Sequence, residues 1–314
     1  MFMVTEIVPQ KRNGEVVYSA GEFQYKLDIH WAKWPQEIAG RLEDEQLSGL
    51  ATDHNDYVYA LNRTQKWPIV VFDQNGNVVR TFGENSFVHA HHVYISHRNT
   101  LWCADDRGHV IKEFSLTGEC LRTLGTGIPS DSGYDESVPW PRDLWTIQRA
   151  APPFHRPTGM YEAPWGELYA SDGYANASVH RFSADGTLLQ TWGGPGEEPG
   201  KFRLPHGIWV DVRERVWIAD RENNRVEIFT KEGGFIKSIE KMLYPSDFWS
   251  DGKQMYVAEA TGGVSIFDMD LNLLAQIGYE NSPLQPHSIT GNSRGDLFLG
   301  TMTRPYKLVK LIRI

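Results

Sequence analysis

The stretch PHGIWVDVRERVWIADRENNRVEIFTKEGGFIKSI, residues 205–239, carries the pattern that decides the fold. An alternating apolar run is followed by a turn, a second strand that ends in Ala-Asp, a polar loop, a third strand, a glycine turn and a fourth strand. Short apolar runs of this kind, bounded by polar and glycine turns, predict β-strands. One histidine, His206, interrupts the first strand directly after a proline.

The same order recurs along the chain. Two copies are clear: PTGMYEAPWGELYASDGYANASVHRFSADGTLLQTWG (157–193) and AHHVYISHRNTLWCADDRGHVIKEFSLTGECLRTLG (90–125). Looser copies start near residues 47 and 244, and a sixth copy, from residue 285, is one strand short. A period of about 40 residues with four short strands predicts an all-β, six-bladed β-propeller. EFQYKLDIHW, residues 22–31, is expected to supply the missing strand and close the ring.

We therefore expect a single domain over residues 1–314, with one long insertion between blades two and three at about residues 125–153. The insertion is rich in Pro, Ser and Asp and contains Trp140 and Trp145. A loop of this length is usually functional or mobile. Two interpretations stay open at this stage: a lid over the site, or a loop that packs its tryptophans on the rim.

The composition excludes some classes of function. The net charge is −9 and no long basic run is present, which argues against binding to nucleic acid. No stretch approaches the roughly 20 apolar residues that span a bilayer, so we expect no membrane partner. The absence of a secretory signal pattern and the presence of two cysteines predict a cytoplasmic location. The oligomeric state stays open.

Histidine occupies one repeated position in alternate copies. The equivalent positions, one slot per repeat, are Gly49, His91, Thr158, His206, Ser246 and His287. In a six-bladed ring, the three histidines lie about 120° apart and converge on the central channel. Three imidazoles with one open position are a typical catalytic zinc site, although another divalent transition metal fits the same ligands. His89, two residues before His91, could face the same end of the central channel and support the ligands or contact substrate.

The end of the second strand follows 14 residues after each slot, at Arg63, Asp105, Asp172, Asp220, Ala260 and Thr301. The three aspartates are expected to brace loops, and Asp172 is also a candidate to support the ligands or contact substrate. Arg63 stands where the repeat favours an acid. This suggests a bidentate contact with a substrate carboxylate, or else an ion pair with a neighbouring blade. Tyr174, in the turn SDGYANAS, is a candidate general base.

ADRENNRVEIF and SDGYANASVHRF resemble the NHL repeat, and the site motifs resemble one enzyme family of that fold, the peptidyl-α-hydroxyglycine α-amidating lyases. AHHV, LPHGI and QPHSI resemble its zinc-ligand motifs and imply His91, His206 and His287 as ligands. The DGY turn implies Tyr174 as a catalytic residue, and ALNR implies Arg63. The resemblance covers roughly residues 46–314.

The chain departs from that family at two positions near the last ligand. Gln285 replaces a methionine two residues before His287 and becomes a candidate to support the ligand or contact substrate. Ser288 replaces the aspartate that binds a structural calcium, and the loss of this charged ligand counts against calcium here. The secretory signal, the disulfides and the monooxygenase partner domain of that family have no counterpart in this sequence either, so the substrate is expected to differ from a peptide hormone.

The sequence thus predicts a metal-dependent lyase that cleaves a C–N bond in a small carboxylated, α-hydroxyglycine-like substrate. Tyr174 is the predicted base, and Arg63 the predicted partner of the carboxylate or oxyanion. Two alternatives stay open: a propeller-type metal-dependent hydrolase, such as a lactonase or amidase, and a non-catalytic NHL binding module. Released glyoxylate separates the lyase from the hydrolase.

Overall fold

The computed structural model describes residues 6–7, 9–12, 14–42, 47–278, 282–301 and 307–314. Within these ranges the strands form six sheets, and the predicted six-bladed β-propeller is confirmed. Regular structure other than strands is limited there to one α-helix, Gln36–Leu42, and two 3-10 turns, Arg142–Thr146 and Arg221–Asn223. The chain divides into two compact units, which are described separately.

The first unit comprises Met1–Glu84 and Ser246–Ile314. Each of its sheets runs outward from a buried first strand, with antiparallel pairing between sequential strands. Blade one is Leu47–Thr52, Val58–Asn62, Ile69–Phe72 and Val78–Phe82; blade five is Pro245–Ser250, Gln254–Glu259, Val264–Asp268 and Leu273–Ile277; blade six begins with Pro286–Gly291, Leu297–Thr301 and Leu308–Arg313.

The N-terminal segment completes the sixth sheet, as predicted. Phe23–Asp28 pairs antiparallel with Leu308–Arg313, and Glu15–Ala20 and Gln10–Arg12 continue the sheet outward. A further short strand, Glu6–Ile7, pairs in parallel with the outer strand of blade five. The last repeat lacks a fourth strand of its own, so the early segment covers the sheet edge that would otherwise be unpaired.

The second unit spans Asn85–Pro245 and contains the insertion. Its three sheets have the same sequential antiparallel order. Blade two is Ala90–Ile95, Thr100–Asp105, Val110–Ser115 and Cys120–Leu124; blade three is Pro157–Glu162, Leu168–Asp172, Ser178–Phe182 and Leu188–Gly193; blade four is Pro205–Val210, Arg215–Asp220, Arg225–Thr230 and Phe235–Glu240.

Burial falls from the inner to the outer strands of a blade. In blade four the second strand is buried along Val216–Ala219, whereas Phe235 and Ile236 of the fourth strand are 42% and 44% exposed. Inner strands are covered by neighbouring sheets on both faces, which explains why they read as nearly continuous apolar runs. The turns between strands one and two are closed by side chains: Asp211 Oδ1 accepts hydrogen bonds from the backbone N–H groups of Arg213 and Arg215, at 2.9 and 3.0 Å.

No helix in the described part of the chain is both long enough and apolar enough to cross a membrane.

Candidate active site

The repeated slot of the sequence pattern is a β-bulge. In blade three the ladder pairs Pro157 with Asp172 and then Gly159 with Ser171, so Thr158 is the extra residue between them. The same irregularity falls at His91, because Ala90 pairs with Asp105 and His92 pairs with Ala104. It also falls at His287 in blade six. A bulge redirects one side chain without interrupting the strand, which places these side chains on the inner edge of each blade.

In blade one the extra residue is Ser48, because Leu47 pairs with Asn62 and Gly49 pairs with Leu61. The sequence pattern predicts Gly49 as the first slot, and that prediction is wrong by one residue. Glycine and serine are both small, so the repeat pattern alone did not distinguish the two positions.

Two of the slot histidines make the same hydrogen bond. In each case the partner is the backbone carbonyl of the slot residue in the following blade, with blade one following blade six. His91 Nδ1 lies 2.8 Å from the carbonyl oxygen of Thr158, and His287 Nδ1 lies 3.0 Å from the carbonyl oxygen of Ser48. A carbonyl oxygen only accepts, so Nδ1 carries the proton in each ring and Nε2 presents its lone pair. This is the usual support for a histidine that binds a metal.

Tyr174 joins two of the slot histidines within the second unit. Its hydroxyl lies 3.0 Å from Nε2 of His91 and 3.3 Å from Nε2 of His206. The two imidazoles are buried, and their ring centroids are 4.8 Å apart. The predicted base and two of the predicted ligands therefore meet at one hydroxyl oxygen.

His91 and His206 in the second unit and His287 in the first unit are buried, and each ring offers one nitrogen that could bind a metal. Neutral imidazole is a ligand for zinc, copper, iron and nickel. The donor set therefore fits a transition metal and leaves its identity open.

The aspartates that end the second strands clamp the backbone that leads into the first strands. Asp105 accepts hydrogen bonds from the N–H groups of Val88 and His89, both at 2.8 Å. Asp220 accepts from the N–H groups of Arg203 and Leu204, at 2.9 and 3.2 Å. Burial raises the pKa of the Asp220 carboxyl, and these donors oppose that shift.

Asp172 has the same task beside Tyr174. Its Oδ2 accepts from the N–H of His155 and from the side-chain amide of Asn176, both at 2.6 Å, and lies 3.3 Å from Nε2 of His180. The carboxylate is completely buried among these protein groups. It therefore holds the turn that carries Tyr174.

Arg63 does not replace an acid of the repeat. The pairing of Leu47 with Asn62 corresponds to the pairing of Pro157 with Asp172 and of Pro205 with Asp220, so Asn62 is the counterpart of the aspartates. Asn62 is buried, and its Oδ1 accepts a hydrogen bond from the N–H of Thr64. Arg63 follows one residue later and is half-buried. Its register matches that of Arg221, which follows Asp220.

Two arginines that the sequence pattern does not single out lie beside Tyr174. The guanidinium carbons of Arg156 and Arg221 lie 5.1 and 5.7 Å from the centroid of its ring. Arg221 could have been found from its register, because it follows Asp220 as Arg63 follows Asn62. Arg156 carries no such signal: it adopts a left-handed backbone conformation, with φ of 73°, just before blade three.

The remaining predicted residues are His89 and Gln285. His89 is half-buried and forms an ion-pair contact through Nδ1 with Asp106, whose other oxygen accepts from Arg156 Nη2 at 2.9 Å. His89 thus supports Arg156 through a shared carboxylate. Gln285 belongs to the first unit, where it is half-buried with φ of 31° immediately before Pro286.

A second histidine cluster was not anticipated. His109 is half-buried, and its ring packs edge-to-face against that of His155 with ring centroids 5.4 Å apart. Burial lowers the pKa of both imidazoles, which favours their neutral forms. His180 is completely buried and lies 2.9 Å from Thr191 Oγ1 through Nδ1. Ser132 of the insertion lies 3.0 Å through its Oγ from Nδ1 of His155, so the insertion contacts this cluster.

Comparison with known proteins agrees with this architecture. Residues 202–229 match the family model of the NHL repeat. The chain is 28% identical over 252 residues to NHL repeat-containing protein 3 of Homo sapiens, a match that covers 75% of this chain and 67% of that protein. The solved structure of a gluconolactonase from Xanthomonas campestris superposes with a TM-score of 0.64 at 14% identity, covering 99% of this chain and 98% of that one. At that identity the likeness concerns the fold alone.

The class defined by fold and repeat is the six-bladed β-propeller with an NHL repeat. Within it, the chain is 25% identical over 211 residues to a Caenorhabditis elegans protein named "Probable peptidyl-alpha-hydroxyglycine alpha-amidating lyase". That match covers 59% of this chain and 55% of the relative, so it spans about half of the relative's length. The resemblance to amidating lyases that the sequence motifs indicate is confirmed. At the level of the family, it supports the interpretation that the protein is an enzyme.

Proposed function

We propose that this protein is a metal-dependent lyase that cleaves the C–N bond of a small N-substituted α-hydroxyglycine. The observation that carries the proposal is the position of the Tyr174 hydroxyl, 3.0 and 3.3 Å from Nε2 of His91 and His206. This chemistry needs a proton acceptor close to the metal ligands, and the Tyr174 oxygen is within hydrogen-bond distance of two candidate ligand nitrogens. The similarity to a named amidating lyase supports the same reaction class.

The residues fit a bound divalent metal. His91, His206 and His287 would hold it through Nε2, because Nδ1 of His91 and of His287 is already directed to a backbone carbonyl. Zinc is the first candidate, since it takes three histidines and one open position in catalytic sites. When bound, such an ion would polarise a substrate oxygen and make its proton easier to remove. Ser288 offers only a neutral hydroxyl where the resemblance implies a calcium-binding aspartate, so calcium is not part of the proposal.

Tyr174 would remove the proton from the substrate's α-hydroxyl group. The electrons of that O–H bond form the aldehyde C=O bond, the C–N bond breaks, and the departing nitrogen takes a proton. The products are an amide and glyoxylate, so atoms and charge balance without a redox partner. Arg156 and Arg221 place positive charge beside the tyrosine ring, where the oxygen of the base would carry negative charge before it accepts the proton. Arg63 is proposed to bind the substrate carboxylate, for which a guanidinium offers two parallel hydrogen bonds.

The two other functions use the same site differently. A hydrolase would deliver hydroxide to an ester, lactone or amide and release a simple acid. A binding module would use the propeller surface and need neither the buried histidines nor Tyr174. The buried histidines and their carbonyl partners favour the enzymes over the binding module.

The test is an assay for glyoxylate with zinc-loaded protein and N-benzoyl-α-hydroxyglycine. Glyoxylate release that falls in Tyr174→Phe supports the lyase. His97→Ala, which alters an exposed histidine at a turn of blade two, is the matched control and should retain wild-type activity. Release of an acid from esters or lactones, with no glyoxylate from the α-hydroxyglycine, would favour the hydrolase over the lyase. Neither product, in protein that contains metal by elemental analysis, would overturn both enzymes.

A further inference from the structure

The insertion between blades two and three is bonded to the turn that carries Tyr174. Ser132 Oγ donates to the carbonyl oxygen of Ala175 at 2.5 Å. Ala151 N–H donates to Asn176 Oδ1 at 2.8 Å, and Asn176 Nδ2 donates back to the carbonyl oxygen of Ala151 at 2.5 Å. Residues near both ends of the insertion therefore hold the two residues that follow Tyr174.

The middle of the insertion is also fixed. Leu144 and Ile147 are 1% and 5% exposed and pack in a hydrophobic cluster with Leu204 and Phe202. Tyr134 donates its hydroxyl proton to Asp143 Oδ2 at 2.7 Å. The 3-10 turn Arg142–Thr146 is thereby held against the core of the second unit. The segment is built as a wall of the site.

This wall presents one large aromatic side chain to the site. Trp140 is 51% exposed, yet its ring lies 5.9 Å from that of Tyr174, centroid to centroid, at an interplanar angle of 61°. The guanidinium carbon of Arg221 lies 5.8 Å from the Trp140 ring and 5.7 Å from the Tyr174 ring. The three side chains form a corner with two aromatic walls and one cation.

We propose that this corner binds the N-acyl group of the substrate and that Trp140 selects a planar aromatic acyl group. The inference rests on the proposed function, because the acyl group is adjacent to the C–N bond that Tyr174 would help to break. A planar ring packs edge-to-face on the exposed indole and also offers its π-face to Arg221. A short aliphatic acyl group gains neither contact. The substrate is then an aromatic amide of α-hydroxyglycine, with a carboxylate at one end and a flat ring at the other.

The first experiment compares kcat/KM for N-benzoyl- and N-acetyl-α-hydroxyglycine. Trp140→Ala should lower the benzoyl-to-acetyl ratio about tenfold, through KM for the benzoyl substrate, because one aromatic pair and its buried area are lost. Trp140→Phe should retain most of the preference. Trp165→Ala removes another exposed tryptophan, from the turn between the first two strands of blade three, and should leave the ratio unchanged. An unchanged ratio in folded Trp140→Ala would overturn the proposal.

A binding experiment separates this inference from the lyase reaction. N-benzoylglycine and N-acetylglycine lack the α-hydroxyl group and cannot be cleaved by the proposed route, so calorimetric titration measures binding without turnover. The carboxylate is common to both compounds, so the difference between their affinities reports the corner. Tighter binding of the benzoyl compound that is lost in Trp140→Ala supports the corner, even if no glyoxylate is ever released. Equal affinities for the two compounds in wild-type protein would overturn it, even if the lyase activity is found. Thermal melting of each variant confirms that the comparison is made on folded protein.

Discussion

The hydroxyl of Tyr174 lies 3.0 Å from Nε2 of His91, although the two residues are 83 positions apart in the chain. Tyr174 stands in the turn after the second strand of blade three, and His91 stands in the bulge of the first strand of blade two. The imidazole is oriented by the Thr158 carbonyl on its opposite nitrogen, and the tyrosine by the Asp172 clamp behind its turn. Both partners of this contact are therefore positioned by groups of blade three, the histidine by a backbone carbonyl and the tyrosine by a buried carboxylate.

Tyr174→Phe should remove the proton acceptor and leave the histidines intact. We expect kcat for glyoxylate release to fall by about 10²- to 10⁴-fold, the usual contribution of a general base. Metal content by elemental analysis should stay at the wild-type level, because phenylalanine retains the ring packing. Loss of metal together with activity would instead assign the hydroxyl a role in holding the site together.

His206→Ala should abolish tight metal binding while the propeller stays folded. His206 contributes one ring nitrogen to the candidate ligand group, and its strand is held by a buried ladder and the Asp220 clamp. We expect wild-type protein to contain about one metal ion per chain and the variant almost none. Circular dichroism checks the fold of both. If the variant unfolds when wild-type protein freed of metal by chelation does not, the histidine has a structural role of its own.

Asp172→Ala should destabilise the second unit. The change removes the shared acceptor of the N–H of His155, which is half-buried, and of the amide of Asn176, which is completely buried. Unsatisfied buried donors of this kind predict a loss of about 2–4 kcal/mol in the free energy of unfolding. Denaturant unfolding measures it, with Asp270→Ala at an exposed turn as the control. A loss as small as that of the control would show that the clamp contributes little.

Glu227 should make stability depend on pH near neutrality. Burial raises the pKa of its carboxyl to about 7, although Arg225 and the N–H of Gly200 oppose the shift. A pKa raised by folding means that this contribution to stability is fully present below the unfolded value, near 4.5, and is lost as pH rises through 7. Glu227→Gln should therefore reduce the fall in melting temperature between pH 5 and pH 8.5 relative to wild type. Glu240→Gln, on the exposed outer strand, should leave the pH profile of wild type unchanged, and a Glu227→Gln profile identical to it would refute the prediction.

The sequence alone determined the repeat and much of the histidine pattern. Strand order, the closing N-terminal strand and the recurrence of histidine at His91, His206 and His287 follow from local periodicity and a fixed repeat length. These features are readable because each blade repeats the same short-range rules: alternating apolar residues, a polar or glycine turn, and one special position per first strand.

Only the tertiary structure decided the exact register and the surroundings of the site. A bulge adds one residue to one strand of a pair, so counting along the sequence placed the first slot at Gly49 instead of Ser48 and gave Arg63 the register of an acid. Arg156, Arg221 and Trp140 reach Tyr174 from the entry to blade three, from blade four and from the insertion. Contacts between segments far apart in the chain depend on how blades and loops pack, and no local periodicity records them.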